Sequence, residues 1–281
     1  MFQFIDTHAH INFNAYKDDG DEVIRRALAE EVAMILVGSD YKTSKRALDY
    51  ANKYEKGVWA AVGLHPMQIF SFRAKTDDYD FQTRGEDFNY DSYDKLTEFE
   101  RVVAIGEIGL DYYHLDPASD IAFIKEKQKE VFRAQLLLAR RTGKPVIIHC
   151  RQAHDDMVEI LKDFKKVHKE MFSANQPWGV MHCFSGDENL AWTYFDLGLL
   201  LSFTGLITFS NQWDDLIRKL PLGKIMIETD APFLTPEPFR GQRNEPLLVK
   251  KVAERIAQIK NIATTKVAAE TTANARNLFK I

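Results

Sequence analysis

The chain contains 281 residues, of which 45% are hydrophobic and 28% are charged. These proportions are ordinary for a globular protein and exclude a disordered or fibrous chain. The net charge of -4 and the pI near 6.1 exclude a protein that binds duplex nucleic acid non-specifically through many phosphate contacts. No basic start precedes an apolar run, and no stretch reaches the roughly 18 apolar residues of a membrane span, so we expect a cytoplasmic protein with no membrane partner.

Eight apolar runs rich in Val, Ile and Phe alternate with helix-like segments along the chain. They span residues 2–10, 32–39, 58–66, 102–111, 145–150, 179–186, 199–209 and 225–234. Nearly continuous apolar runs are typical of parallel strands that helices cover on one side and side chains fill on the other. The pattern predicts an α/β protein with a TIM-type (β/α)8 barrel, formed as a single domain over residues 1–281.

Amphipathic segments separate these runs and predict the outer ring of helices. The clearest are residues 22–31, 43–55, 121–141 and 155–166. Residues 74–96, after the third strand, have little apolar periodicity and are predicted to be a surface insertion. The aromatic residues of this segment are Tyr79, Phe81, Phe88, Tyr90 and Tyr93. They could form a lid on which bases stack, or they could pack the loop onto the rest of the protein. We favour the second interpretation. Residues 245–278 predict two terminal helices.

The sequence Asp6-Thr7-His8-Ala9-His10 ends the first predicted strand. Residues two apart on a strand point to the same face, so both imidazoles could reach one metal ion. Taken alone, the two histidines could equally be a polar patch at the end of a strand. The rest of the chain decides between these interpretations.

Four more potential metal ligands lie late in other predicted strands, namely Glu107, His149, His182 and Asp230. The carboxyl ends of the strands of a TIM barrel converge on the face that carries the active site. A purely structural core would not tolerate such a cluster, because burying unpaired ionisable groups costs several kcal/mol. Six ligands predict a two-ion centre that Glu107 bridges and Asp230 completes. The ions could be Zn²⁺, Mn²⁺ or Mg²⁺.

Residues beside these ligands are interpreted differently. Cys150 and Cys183 each follow a predicted ligand and would face the other side of a regular strand, so we exclude them as ligands. Without a CxxC spacing, two cysteines also form no disulfide framework. Asp111 and Tyr112, after the fourth strand, could orient ligands or substrate, or Asp111 could cap the following segment.

Three basic side chains could bind substrate. His65 ends the third predicted strand, where it could donate to a phosphate without touching either ion, or could be a structural histidine before Pro66. Arg240 and Arg243 follow Asp230 on one loop, and guanidinium groups bind phosphate oxygens in pairs. Alternatively, such an arginine pairs with a neighbouring acid and fixes the loop.

These motifs together resemble the TatD family of metal-dependent deoxyribonucleases, within the amidohydrolase-like barrel superfamily. The matching segments are DTHAH at 6–10, GLHP at 63–66, GEIGLDYY at 106–113, IIHC at 147–150, HCFSG at 182–186, ETDAPFL at 228–234 and RGQRNEP at 240–246. The resemblance implies a TIM barrel that holds two divalent ions through His8, His10, Glu107, His149, His182 and Asp230. It also implies hydrolysis of DNA, often from the 3′ end, with His65 on the scissile phosphate. Residues 74–96 depart from the family pattern.

The leading hypothesis is a 3′-5′ exonuclease in which a metal-activated water attacks the phosphodiester. Asp230 would be the general base, and His65 would neutralise charge on the phosphate. Single-stranded DNA ends are the expected partner, and no protein partner is predicted. A lactone or amide hydrolase on the same two-metal barrel is one alternative, and a metal-binding scaffold without turnover is another.

Overall fold

The computed structural model describes residues 2–71, 73–75, 80–83, 85–115, 119–172 and 176–281. The strands in these residues are β1 Phe4–Ala9, β2 Val32–Val37, β3 Val58–Val62, β4 Arg73–Lys75, β5 Asp80–Gln82, β6 Val102–Asp111, β7 Val146–Arg151, β8 Gly179–Met181, β9 Leu199–Phe203 and β10 Ile225–Ile227. The helices are α1 Gly20–Ala29, α2 Tyr41–Ala51, α3 Tyr90–Thr97, α4 Ile121–Thr142, α5 His154–Val167, α6 Glu188–Asp196, α7 Leu206–Phe209, α8 Asp214–Lys219, α9 Val249–Lys260 and α10 Thr264–Phe279. Short 3-10 helices occupy Asn14–Tyr16, Pro66–Gln68, Lys169–Met171, Leu222–Lys224 and Pro246–Leu248.

Eight parallel strands form one sheet in the order β1-β2-β3-β6-β7-β8-β9-β10. The sheet closes where β1 meets the segment after β10. There, the Asp230 amide donates to the His8 carbonyl over 2.9 Å, and the His10 amide donates to the Ala231 carbonyl over 2.7 Å. The predicted TIM-type (β/α)8 barrel is therefore confirmed, and three predicted ligands, His8, His10 and Asp230, lie at its closure.

The barrel strands bury side chains on both faces, as parallel strands covered by helices do. One face fills the barrel interior with residues such as Ile35, Ile147 and Leu200. The carboxyl-terminal helix α10 adds Leu278 and Phe279 to this interior cluster. Because α10 closes one end of the barrel with apolar groups, the polar side chains gather at the other end.

The insertion predicted after the third strand is present, but it ends earlier than residue 96. Residues from 90 onward belong to helix α3, and Tyr93 is only 1% exposed. The Tyr93 hydroxyl donates to Glu86, and its ring lies 5.1 Å from that of Phe88, measured between centroids. These aromatic rings pack inward, as the favoured interpretation expects. Strands β4 and β5 pair antiparallel before them, whereas Tyr79 and the Phe81 side chain lie outside the described residues.

Several predicted strands extend beyond the strands of the structure. Residues 199–209 contain β9 and then the short helix α7. The strand predicted at 225–234 ends at Ile227, and the strand predicted at 179–186 ends at Met181. The predicted outer and terminal helices are present with small shifts of their ends. Across the described helices, none combines the length and the apolar character that a bilayer span requires.

Candidate metal centre

The four predicted histidine ligands surround the carboxylate of Glu107, which lies in β6. Its Oε2 is 3.4 Å from His8 Nε2 and 3.7 Å from His10 Nε2. Its Oε1 is 3.0 Å from His149 Nδ1 and 3.7 Å from His182 Nε2. The two oxygens of one carboxylate therefore face two different pairs of imidazoles, which is the arrangement that a bridging ligand requires.

The first pair of imidazoles shares its space with Asp230. His8 Nε2 and His10 Nε2 lie 3.1 Å apart, and Asp230 Oδ1 lies 3.4 Å from His10 Nε2 and 3.9 Å from His8 Nε2. Tetrahedral ligands at metal-nitrogen distances near 2.1 Å are separated by about 3.4 Å. The observed spacing of these three side chains fits one divalent ion.

Contacts on the outer nitrogens orient the rings of the centre. His10 Nδ1 lies 2.8 Å from the Val37 carbonyl, and His149 Nε2 lies 3.0 Å from Asp111 Oδ2. Because these oxygens only accept, each ring donates outward, and in its neutral form it directs the lone pair of its other nitrogen into the centre. The donor set therefore fits divalent metal ions.

His65 is an exception to this pattern. Its Nδ1 accepts a hydrogen bond from the Met67 amide over 3.1 Å, and burial lowers the pKa of its imidazole. The neutral ring assigned from these contacts carries its proton on Nε2, which faces Glu107 Oε1 over 3.3 Å. By proximity alone, His65, Glu107 and His149 could hold an ion together. The tautomer instead makes His65 a hydrogen-bond donor at the centre, where its Nε2 contacts the Glu107 carboxylate.

The carboxylates of the centre are held in their charged form. Burial by itself raises the pKa of Glu107, but the imidazoles of His65 and His8 lower that pKa to well below its usual range. Burial likewise opposes ionisation of Asp230, whereas its contact with His10 lowers the Asp230 pKa overall. Two buried negative charges are therefore available to stabilise cations.

Two imidazoles instead have raised pKa values because carboxylates face them. Burial disfavours the charged form of His149, yet Asp111 and Glu107 raise the pKa of His149 to about 9. Burial also opposes protonation of His182, and Glu228 raises its pKa to about 10. A divalent ion would replace these protons as the partner of the surrounding carboxylates.

The backbone at Asp230 places its side chain over the centre. Asp230 has φ 56°, in the left-handed region that Asp tolerates better than most residues. The Asp230 amide is held by the His8 carbonyl, and the Asp230 carbonyl accepts from the Phe233 amide over 2.8 Å. Asn244, which is fully buried, donates to the carbonyls of Thr229 and Phe233 and fixes the same loop.

The two arginines predicted to bind substrate, Arg240 and Arg243, contact other residues of the chain. Arg243 donates to both carboxylate oxygens of Asp19, over 2.9 and 2.5 Å, and its guanidinium covers the Tyr16 ring at 4.3 Å. This contact matches the alternative of an arginine that pairs with an acid and fixes the loop. Arg240 is exposed, donates to the Thr235 carbonyl over 3.1 Å and lies over the ring of Phe209.

Asp111 and Tyr112 lie outside the ligand group. Asp111 is fully buried, and its Oδ2 also contacts His114 Nδ1 over 2.9 Å, so the carboxylate holds two imidazoles. Tyr112 points away and donates to Asp156 over 2.6 Å. Cys150 lies 3.3 Å from His154 Nδ1, away from the centre. Cys183 Sγ lies 3.6 Å from the Thr204 hydroxyl.

The sequence interpretation missed two buried carboxylates. Glu228 lies 2.7 Å from His182 Nδ1 and accepts from the Cys183 amide over 2.7 Å. Asp6 accepts from the Thr229 amide over 2.9 Å. Both residues precede a predicted ligand by two positions, and this spacing was the available signal. The spacing alone could not show which groups these carboxylates contact, because those groups belong to other segments of the chain.

The barrel and this centre define a class of proteins, namely TIM barrels whose carboxyl-terminal face carries a histidine- and carboxylate-rich site for divalent metal ions. A family model described as TatD related DNase matches residues 5–280. The chain belongs to the TatD-related DNase family. The resemblance predicted from the seven sequence motifs is thus confirmed.

Relatives of similar length share most of the chain. It is 41% identical over 279 residues to the uncharacterized metal-dependent hydrolase YabD of Bacillus subtilis, with 98% of both chains covered. It is 34% identical over 283 residues to the uncharacterized metal-dependent hydrolase YcfH of Escherichia coli, which covers 99% of this chain and 96% of the relative. The solved structure of YJJV, a TatD homolog from Escherichia coli, has a TM-score of 0.82 at 29% identity and covers 99% and 98% of the two chains.

Replacing Glu228 with glutamine is expected to weaken metal binding by about 10- to 100-fold, the usual effect of removing an outer partner of a ligating histidine. The amide keeps the size of the side chain but lacks the charge that faces His182. Titration of divalent ions against a competing chelator measures the change. Glu159→Gln, at an exposed position of α5, is the matched control. Equal affinities in the two variants would mean that Glu228 does not orient His182.

Proposed function

We propose that the protein is a metal-dependent deoxyribonuclease that shortens single-stranded DNA from its 3′ end. The observation that carries this proposal is the Glu107 carboxylate, whose two oxygens face separate pairs of imidazoles. Membership of the TatD-related DNase family supports DNA as the substrate class. The barrel would act as a single domain over the whole chain.

The residues divide into two ligand groups around Glu107. His8, His10 and Asp230 would hold one divalent ion. His149 and His182 would hold a second ion, and Glu107 would bridge the two. When bound, such ions activate a water molecule and polarise a phosphoryl oxygen.

Asp230 is the proposed general base. Its side chain is 15% exposed, whereas that of Glu107 is 5% exposed. Its lowered pKa keeps it unprotonated at neutral pH, so it can accept the proton of an attacking water. Its position at the closure of the barrel sets it directly beside His10.

His65 is the proposed donor to the scissile phosphate. Its Nε2 proton points toward the centre, because Nδ1 is occupied by the Met67 amide. A neutral donor can stabilise the charge that develops on a phosphate oxygen without competing for a metal ion. This role differs from that of the four ligand histidines. Arg240, exposed on the rim, would make a more distant contact with substrate.

Metal removal and restoration test the proposal. We expect chelated protein to be inactive and to recover cleavage when Zn²⁺, Mn²⁺ or Mg²⁺ is restored singly, which also establishes the ion. Oligodeoxynucleotides labelled at either end report polarity, and RNA of the same sequence reports sugar preference. Asp230→Asn, prepared in parallel, excludes a contaminating nuclease. Turnover of lactones or amides without cleavage of any oligonucleotide would overturn the nuclease assignment.

A further inference from the structure

Arg151 occupies the last position of β7, two residues after His149. Side chains two apart on a strand point to the same face, so Arg151 extends from the same face as His149 and one step nearer the mouth of the barrel. Its Cα pairs with that of Asp111, the residue that orients His149. Arg151 is exposed. It is therefore a cation at the entrance to the candidate metal centre.

The guanidinium of Arg151 lies over an aromatic ring. Its central carbon is 3.8 Å from the centroid of Tyr113, which is 52% exposed. The ring of Tyr113 is in turn braced edge-on by His114 at 4.9 Å. Cation–π attraction of this kind restrains a guanidinium and leaves its N–H donors available to a ligand. Arg151 thus combines exposure with a restrained position.

The ion pairing of Arg151 also differs from that of Arg243, the arginine predicted on the loop after Asp230. Arg243 is neutralised by Asp19. Within the part of the chain that the structure describes, no carboxylate lies within ion-pair distance of Arg151. In a protein with net charge -4, a guanidinium that has no carboxylate partner among the described residues provides local positive charge that a polyanion needs.

We infer that Arg151, held on Tyr113, binds the backbone phosphate adjacent to the scissile phosphodiester. The inference rests on the proposed nuclease function and adds a substrate contact to it. The fork of the guanidinium donates to the two non-bridging oxygens of that phosphate. Binding at this point fixes the register of the strand, so the next phosphate lies at Glu107 and Asp230.

Removing one charge at a time from enzyme and substrate tests the inference. The substrates are a single-stranded oligonucleotide and versions with one uncharged methylphosphonate at the second or third linkage from the cleaved end. For wild type, we expect the critical methylphosphonate to lower kcat/KM roughly 10- to 100-fold, the scale of one charge-assisted contact. Arg151→Ala should show a similar loss on the normal substrate and no further loss on the modified one.

Control variants separate this contact from general electrostatics. Arg133→Ala removes an exposed arginine of α4 and should keep the full sensitivity to methylphosphonate. Tyr113→Leu removes the ring beside Arg151 and should lower kcat/KM on the normal substrate roughly two- to fivefold. The inference would be overturned if Arg151→Ala and the methylphosphonate lowered kcat/KM independently, so that their effects multiplied at every linkage tested.

Binding to metal-free protein gives a second readout. Fluorescence anisotropy with the same oligonucleotide in chelator should show that Arg151→Ala lowers the slope of log affinity against log salt by about 0.7. If restored wild type cleaves no DNA but this slope change is present, the proposed function fails and the phosphate site stands. If wild type cleaves DNA but Arg151→Ala changes neither the sensitivity to methylphosphonate nor the salt slope, the phosphate site is wrong and the proposed nuclease function stands. Absence of both results overturns both proposals.

Discussion

Glu107→Gln is expected to weaken metal binding by more than about 100-fold and to abolish hydrolysis. The effect should exceed that of removing an outer partner, because the Glu107 carboxylate lies within 3.7 Å of both His10 Nε2 and His182 Nε2. A neutral amide presents one oxygen and one NH₂ group, so it cannot offer an acceptor to both ligand pairs. Metal content after dialysis and oligonucleotide cleavage measure the two losses.

Glu98→Gln is the matched control for this variant, because Glu98 is exposed at the end of α3. It should retain wild-type metal content and activity. Thermal unfolding of both metal-free variants separates loss of ligation from loss of fold. If Glu107→Gln kept two equivalents of metal and normal cleavage, the carboxylate would not be a bridge.

Asp230→Asn is expected to lower kcat by about 10²- to 10⁴-fold, the usual contribution of a general base. The asparagine carbonyl oxygen can still act as a neutral metal ligand, so metal binding should fall less than the rate does. KM should change little, because the lost interaction belongs to the transition state. Single-turnover cleavage by metal-loaded protein gives the rate of the chemical step directly.

The control for this second variant is Asp196→Asn, at an exposed position on the last turn of α6. It should cleave at the wild-type rate. A loss of less than about tenfold in Asp230→Asn, with metal content intact, would assign the general base to another group. A parallel loss of metal and rate would make Asp230 a ligand only.

The barrel could be predicted because its signals are local. Apolar runs of strand length recur between amphipathic segments, and His8 and His10 have the spacing of one strand face. The boundary between β9 and α7 could not be predicted in the same way. Apolar residues continue from Leu199 to Phe209, and the strand ends where the Thr204 hydroxyl accepts from the Leu206 amide over 3.3 Å. A short apolar run does not distinguish a strand from a buried helix.

The substrate-facing residues were harder to predict than the ligands. Arg240 and Arg243 lie in a family-like motif on the rim, yet Arg243 is paired with Asp19, 224 residues away in sequence. Arg151 could not be singled out from the sequence, because a single arginine at the end of a strand is common. Its proposed role depends on its contact with the Tyr113 ring and on its position two residues after His149 in β7.

By itself, the sequence determined the barrel, the family and the six side chains that gather at the carboxyl ends of its strands. These features depend on periodicity and on motifs, which are properties of neighbouring residues. Only the tertiary structure decided which nitrogen of each imidazole faces the centre. It also decided that His65 carries its proton on Nε2 and that Glu228 contacts Nδ1 of His182. Those outcomes depend on hydrogen-bond partners supplied by other strands and loops, and the relative placement of such partners exists only once the barrel has closed.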